Sequence, residues 1–234
     1  KDFISIMEKL VSSIFKAYDI RGIVATQLTP QTTELIGQVL GSMAIENQVK
    51  GLVVGYDGRL TSPMLAKSLI KGILSTGCNV FEIGEVTTPM VYFANYELKT
   101  YSGVMITGSH NPPEYNGLKM VMAGDTLSGD KIQQIYQRIQ DKQVIKGNGV
   151  HYCENILEAY FTKITSDVKL ARRMSIVVDA GNGVAGKIAP QLYRRLGCKV
   201  LGLFCEVDGN FPNHHPDPSK PENLNDIIHA LNTT

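Results

Sequence analysis

Ser109 stands in the run Thr107-Gly108-Ser109-His110-Asn111-Pro112-Pro113, directly after an apolar segment at 103–106. A serine in a turn at a strand end, held by Gly108 and the rigid Pro112-Pro113 pair, presents its hydroxyl where α/β proteins bind ligands. His110 and Lys119 are potential cations nearby in sequence. Phosphoryl transfer depends mainly on alignment and on neutralising charge spread over the equatorial oxygens, so these residue types suit a phosphorylatable nucleophile. The competing reading is a serine that bonds only to its own turn, the commoner fate of an isolated Gly-Ser pair. A Ser-His hydrolase is disfavoured. Adjacent side chains on extended backbone point to opposite sides, so Ser109 and His110 are not expected to pair, and no Gly-x-Ser-x-Gly elbow is present.

Two further motifs compete for a function. The segment Val177-Val178-Asp179-Ala180-Gly181-Asn182-Gly183-Val184-Ala185-Gly186 contains Gly-x-Gly-x-x-Gly between an expected strand and helix, with Glu206 after the next strand. That pattern suits an NAD-dependent oxidoreductase. Against it, about two strands and two helices follow, too few for a dinucleotide fold, and tight turning with close helix–strand packing explains such glycines equally. The cluster His214-His215-Pro216-Asp217, with Asp208 upstream, offers imidazole and carboxylate, but its spacing fits no closed zinc site. In a Pro-rich connector such residues usually cap turns or bond across a domain contact.

Bulk properties narrow the classes. The formal net charge is +1 and 43% of residues are hydrophobic, so a sizeable core can form and no broad positive field exists for a nucleic-acid backbone or an anionic membrane. Cys78, Cys153, Cys198 and Cys205 are scattered without a Cys-x-x-Cys pair. A disulfide framework is therefore not expected, and a reducing cytoplasm is the default setting. No apolar run approaches the roughly 20 residues that span a bilayer, and residues 1–10 lack the apolar stretch of a signal peptide. The chain opens on Lys1, so an upstream start is expected to be missing.

The elements that must position Ser109 follow α/β grammar, a short apolar strand, then a Gly, Asp or Thr-Pro turn, then an amphipathic helix. Thr29 and Pro30 open a helix with Leu35, Ile36, Val39, Leu40 and Met43 on one face. Strands are expected at 51–54, 80–83, 103–106 and 118–122, and helices after Ser62-Pro63, after Thr88-Pro89 and after Ser128, which should act as a cap. Arg59, in the turn Tyr56-Asp57-Gly58-Arg59, reads as a solvated or ion-paired residue. Apolar periodicity lapses between Asp141 and Tyr152, which places a boundary there, with one domain at 1–146 and another at 147–234. The second begins with a helix at 155–164, then a strand at 176–178, the glycine turn, a helix at 188–196, a strand at 200–204 and a helix at 223–231. Two layered α/β domains with mixed sheets covered by helices are expected, the second incomplete.

Three segments in order then carry a specific resemblance. The run from Thr107 through Asn111-Pro112-Pro113-Glu114-Tyr115-Asn116-Gly117 to Leu118-Lys119 resembles the serine loop of the α-D-phosphohexomutases. Phe15-Lys16-Ala17-Tyr18-Asp19-Ile20-Arg21-Gly22 is similar to that family's N-terminal signature, and Gly55-Tyr56-Asp57-Gly58-Arg59-Leu60 to its next strand-turn unit. The Gly-Ser form with Pro112-Pro113 is nearer the phosphomannomutase/phosphoglucomutase branch. The resemblance implies that Ser109 is phosphorylated and exchanges its phosphate with a hexose phosphate through a bisphosphorylated sugar. It implies His110, Lys119 and Arg21 as supporting cations, with Lys119 as acid/base and Arg21 as a fixed charge. Tyr18 and Asn111 match positions near the same site. Mg2+ held partly by the phosphate oxygen on Ser109, and glucose 1,6-bisphosphate as activator, follow from the same resemblance. The family's Asp-rich metal loop and sugar-reading loops are not found by Thr234, so a catalytically incomplete fragment is the expectation for this chain alone.

Overall fold

A computed structural model describes residues 10–233; the segment 1–9, part of the stretch read above for a signal peptide, and Thr234 lie outside the described residues. The described residues open with a 3-10 turn at Ser12–Ile14 and a short strand β1 (Ile20–Ile23). Helix α1 (Pro30–Glu46) follows; Thr29 caps it by accepting from Thr32 N at 3.1 Å, a bond worth about 1 kcal/mol. Then come β2 (Leu52–Tyr56), α2 (Ser62–Leu74), β3 (Val80–Glu85), α3 (Thr88–Glu97) and β4 (Gly103–Ile106). The serine loop leads into β5 (Tyr115–Met122), β6 (Asp125–Thr126) and α4 (Asp130–Gln140). Ser128 does not cap α4: the N-cap is Gly129 at φ +51, a conformation that glycine adopts freely, and no side chain bonds there.

These strands make one mixed sheet in the order β1-β5-β4-β2-β3, extended by β7 (His151–Cys153), with β6 paired to β5. β4, β2, β3 and β7 run parallel, whereas β5 is antiparallel to both β1 and β4. The parallel run exists because α2 and α3 are crossovers between β2, β3 and β4, and such connections place helices on the sheet's faces. One face packs Leu52, Val54, Val104, Ile106 and Leu118 against α1, α2 and α4, whose inward residues include Ile36, Leu40, Leu69 and Ile135. The other face carries Val53, Phe81 and Met105 against α3. β1 and β7 fall where periodicity alone marks no strand, since each is short and β7 is exposed.

Beyond β7 the chain forms α5 (Leu157–Asp167), β8 (Ser175–Asp179), α6 (Ala185–Arg195), β9 (Lys199–Leu203) and α7 (Asn225–Thr233). β8 and β9 pair in parallel with α6 as their crossover. Phe161 of α5 and Ile188 of α6 join Met90 and Val91 of α3 in one apolar cluster, so the two parts of the chain share a core. Lys187 to Glu85, at 2.6 Å, adds an ion pair between them.

Candidate active site

Parallel strands aim the loops after their carboxyl ends at the same edge of a sheet, the usual place for ligands in α/β folds. β2 and β4 are neighbours here, with Tyr56 opposite Ile106, so the turn 57–61 and the loop 107–114 are brought side by side. Ser109 is exposed and His110 beside it is exposed, while Gly108 and Thr107 beneath them are buried. The backbone of Ser109 is left-handed at φ +53, a region that costs a non-glycine residue about 1–2 kcal/mol. Its N–H donates to Thr107 Oγ1 at 2.9 Å. This twist reverses the expectation that Ser109 and His110 diverge: Ser109 Oγ lies 3.5 Å from His110 Nδ1, because the argument from extended backbone does not apply at positive φ.

Arg59 holds the loop in that shape. Its Nη2 donates to Ser109 O at 2.9 Å and Asn111 O at 2.7 Å, and its Nη1 to Pro112 O at 2.7 Å and Tyr115 O at 3.2 Å. The guanidinium is buried, pairs with Asp57 Oδ2 at 3.3 Å and packs against the Phe211 ring at 5.2 Å. Burial pulls its pKa below the ordinary arginine value, and Asp57 opposes that shift. Asp57 also accepts from Gly108 N at 3.2 Å, Arg59 N at 3.1 Å and Ser62 Oγ at 2.6 Å. Gly108 is required by this contact, since a Cβ there would fall 2.3 Å from Arg59 Nε. The sequence reading of Arg59 as a turn residue is half corrected: it is ion-paired, but it is buried and bonded to four loop carbonyls. An Asp-Gly-Arg turn alone does not reveal which loop its arginine will meet. Nor does local sequence mark out Asp57, Thr107 or Asn116, the last of which donates to Ser62 Oγ at 2.8 Å.

The other expected residues are placed unequally. Arg21 lies on β1 opposite Gly117, and Gly117 O accepts the N–H of Thr107 at the root of the loop; Arg21 is ion-paired with Asp19. Its charge reaches Arg59. Lys119 is half-buried on β5 opposite Met105, and the strand's alternation puts it on the same face as Gly117 and Arg21. Asn111 Nδ2 donates to Gly108 O at 2.8 Å, so its amide closes its own turn. Tyr18 is 78% exposed, so its ring is open to solvent. Asp217, in the Pro-rich stretch, is held below the usual carboxylate range first by the Ser219 hydroxyl and amide, with His110 close enough to add to the effect.

The glycine turn is explained by packing. A Cβ on Gly186 would meet Cys205 O at 2.1 Å, and Gly181 sits at φ +50 with its N–H donating to Asp179 Oδ1 at 2.8 Å. His214 Nε2 lies 3.0 Å from Asp179 Oδ2, and its Nδ1 lies 2.9 Å from His215 O. Burial pulls the His214 pKa down, but its bonds to His215 O and Asp179 outweigh this and hold it above the ordinary value. This histidine thus braces the turn, as expected for the cluster. Among the described residues, the group of three side chains spaced to hold a metal ion is Glu82, His151 and Cys153, none of them in the serine loop.

The fold and the loop together define a class of α/β protein that displays a clamped serine at the carboxyl edge of parallel strands. Residues 12–145 match the profile described as phosphoglucomutase/phosphomannomutase alpha/beta/alpha domain I, and residues 151–234 that of domain II. The chain belongs to the phosphoglucomutase/phosphomannomutase family. It is 52% identical over 219 residues to a phosphomannomutase/phosphoglucomutase of Pseudomonas aeruginosa, covering 94% of this chain and 47% of that one. It is 48% identical over 227 residues to a phosphoglucomutase of Neisseria gonorrhoeae, covering 96% of this chain and 49% of that one. A crystal structure of a phosphoglucomutase/phosphomannomutase family protein from Burkholderia thailandensis matches with a TM-score of 0.92 at 42% identity, covering 96% of this chain and 51% of that one. The chain spans about half the length of these relatives. The dinucleotide reading of the glycine turn finds no support, since the turn lies within the match to domain II.

Proposed function

We propose that this chain carries the phosphoryl-accepting serine of a phosphohexomutase, which moves a phosphoryl group between the 1- and 6-positions of mannose or glucose phosphate. One observation supports this most: Ser109 is exposed at the end of β4 while its backbone is held left-handed by Arg59 and Thr107. In the forward step the P–O bond to Ser109 breaks as a P–O bond to a sugar hydroxyl forms, and the bisphosphorylated sugar later returns its other phosphate to Ser109. The hydroxyl's proton needs an acceptor, which we assign to Lys119. The proton returning to Ser109 Oγ has His110 Nδ1 within 3.5 Å. Arg21 supplies a fixed positive charge, and Tyr18 and Asn111 flank the substrate phosphate.

Mg2+ and a glucose 1,6-bisphosphate activator belong to this reading. Of the proposed magnesium ligands Ser109 alone is identified here, through its phosphate oxygen; Asp57 is committed to Gly108, Arg59 and Ser62. A bound magnesium would supply neutralisation of the transferring phosphoryl charge. The division at 146/147, a hexose phosphate as partner and a cytoplasmic setting are part of the same proposal; the cysteines are all free, and no described helix is long and apolar enough to cross a membrane. The deciding experiment is phosphopeptide mass spectrometry after incubation with glucose 1,6-bisphosphate, on this chain and on any longer form of the product. Phosphate on Ser109, lost in Ser109→Ala, is expected; phosphate on another residue overturns the assignment.

A further inference from the structure

The parallel pairing of β3 with β7 sets Val80 opposite His151 and Glu82 opposite Cys153. Because strand residues alternate between faces, Glu82, His151 and Cys153 emerge on one side, while Phe81 and Tyr152 stack on the other at 5.0 Å. Their ligand atoms all lie within 4.8 Å of one another, and His151 Nε2 is 2.8 Å from Glu82 Oε2. Zinc bonded to sulfur, nitrogen and oxygen at its usual lengths sets those atoms roughly 3.3–3.8 Å apart, within reach of small side-chain rotations. His151 and Cys153 are exposed on this side, so water reaches the ligand atoms.

We propose that Glu82, His151 and Cys153 form a binding site for a zinc-class divalent cation at the edge of the first sheet. A thiolate, an imidazole and a carboxylate select zinc or cobalt over magnesium, which prefers oxygen alone. On binding, the Cys153 thiol releases its proton to solvent as the metal–sulfur bond forms. The ring proton that His151 Nε2 directs at Glu82 is lost to solvent or moves to Nδ1, and the imidazole and the carboxylate both become ligands. The ion then ties the edge strand β7 to β3.

Cobalt(II) chloride titrated into the 234-residue chain tests this, read by the thiolate-to-cobalt charge-transfer absorption. The band is expected to appear, to be displaced by zinc and to survive excess magnesium. Cys153→Ser should abolish it, and His151→Ala or Glu82→Gln should weaken cobalt binding at least about tenfold. His214→Ala should leave it unchanged. Absence of the band in the unsubstituted chain, its persistence in Cys153→Ser, or its loss to magnesium would show that Glu82 and His151 are only an ion pair. Where a variant unfolds, zinc protection of Cys153 against alkylation in the unsubstituted chain decides instead: protection upholds the site and unchanged labelling overturns it.

Discussion

Arg59 donates to the carbonyl oxygen of Ser109 at 2.9 Å, so the shape of the serine loop is set by a residue on the preceding parallel-strand turn. Replacing it with alanine leaves Asp57 buried without its ion-pair partner and frees four loop carbonyls. Arg59→Ala is expected to cost about 3 kcal/mol or more in denaturant unfolding, the range for breaking a buried pair. Arg59→Lys should restore only part of this, because an ammonium does not reproduce the planar fork. Phosphate loading of Ser109 in the folded Lys variant should slow by about tenfold or more, as expected of a misplaced reacting group.

A side-chain carbon at Gly108 would land over the face of the same guanidinium. Gly108→Ala is expected to destabilise the chain by about 1–3 kcal/mol, the cost of forcing an extra carbon into a packed site. Hydrogen exchange across residues 107–115 should accelerate; an unchanged exchange pattern would mean the guanidinium has room to yield.

The left-handed backbone at Ser109 separates stability from chemistry. Ser109→Gly should raise unfolding stability by roughly 0.5–1 kcal/mol, since glycine relieves the φ +53 strain, while removing the phosphate acceptor. Ser109→Ala removes the acceptor without relieving strain and serves as the comparison. Equal stabilities for the two variants would contradict the strain.

His214 predicts a pH dependence. Its folded pKa is raised above the ordinary value of about 6.5, so its contribution is fully present below that pH and is lost as pH rises through the folded value. Asp179 and Asp226 are the carboxylates acting on it. The thermal midpoint of the parent chain relative to His214→Asn should therefore be highest in mild acid and converge in alkali. A difference that grows with pH would reverse the assignment.

Thiol labelling should follow burial. Burial pushes the Cys78 thiol up to about 11, whereas Cys153 is exposed. Alkylation near neutral pH should label Cys153 first and Cys78 only on unfolding, because the thiolate is the reacting form.

Much of this architecture is legible in the sequence. Helix α1 starts where Thr29-Pro30 requires, since a side-chain oxygen and a proline are what the first turn of a helix needs, and its apolar face is the one that packs. The short apolar strands before each Gly, Asp or Thr-Pro turn, and Ser109 just past the end of one of them, follow from local pattern in the same way. Short-range chemistry is written in short-range sequence. Tertiary structure decided what depends on distance across the chain. The capture of the serine loop by Arg59, the alignment of Arg21 and Lys119 on one face, and the meeting of Glu82 with His151 and Cys153 depend on which strands become neighbours. Strand order is set by packing of the whole sheet, and a turn's own residues hold no record of the turn that will lie beside it.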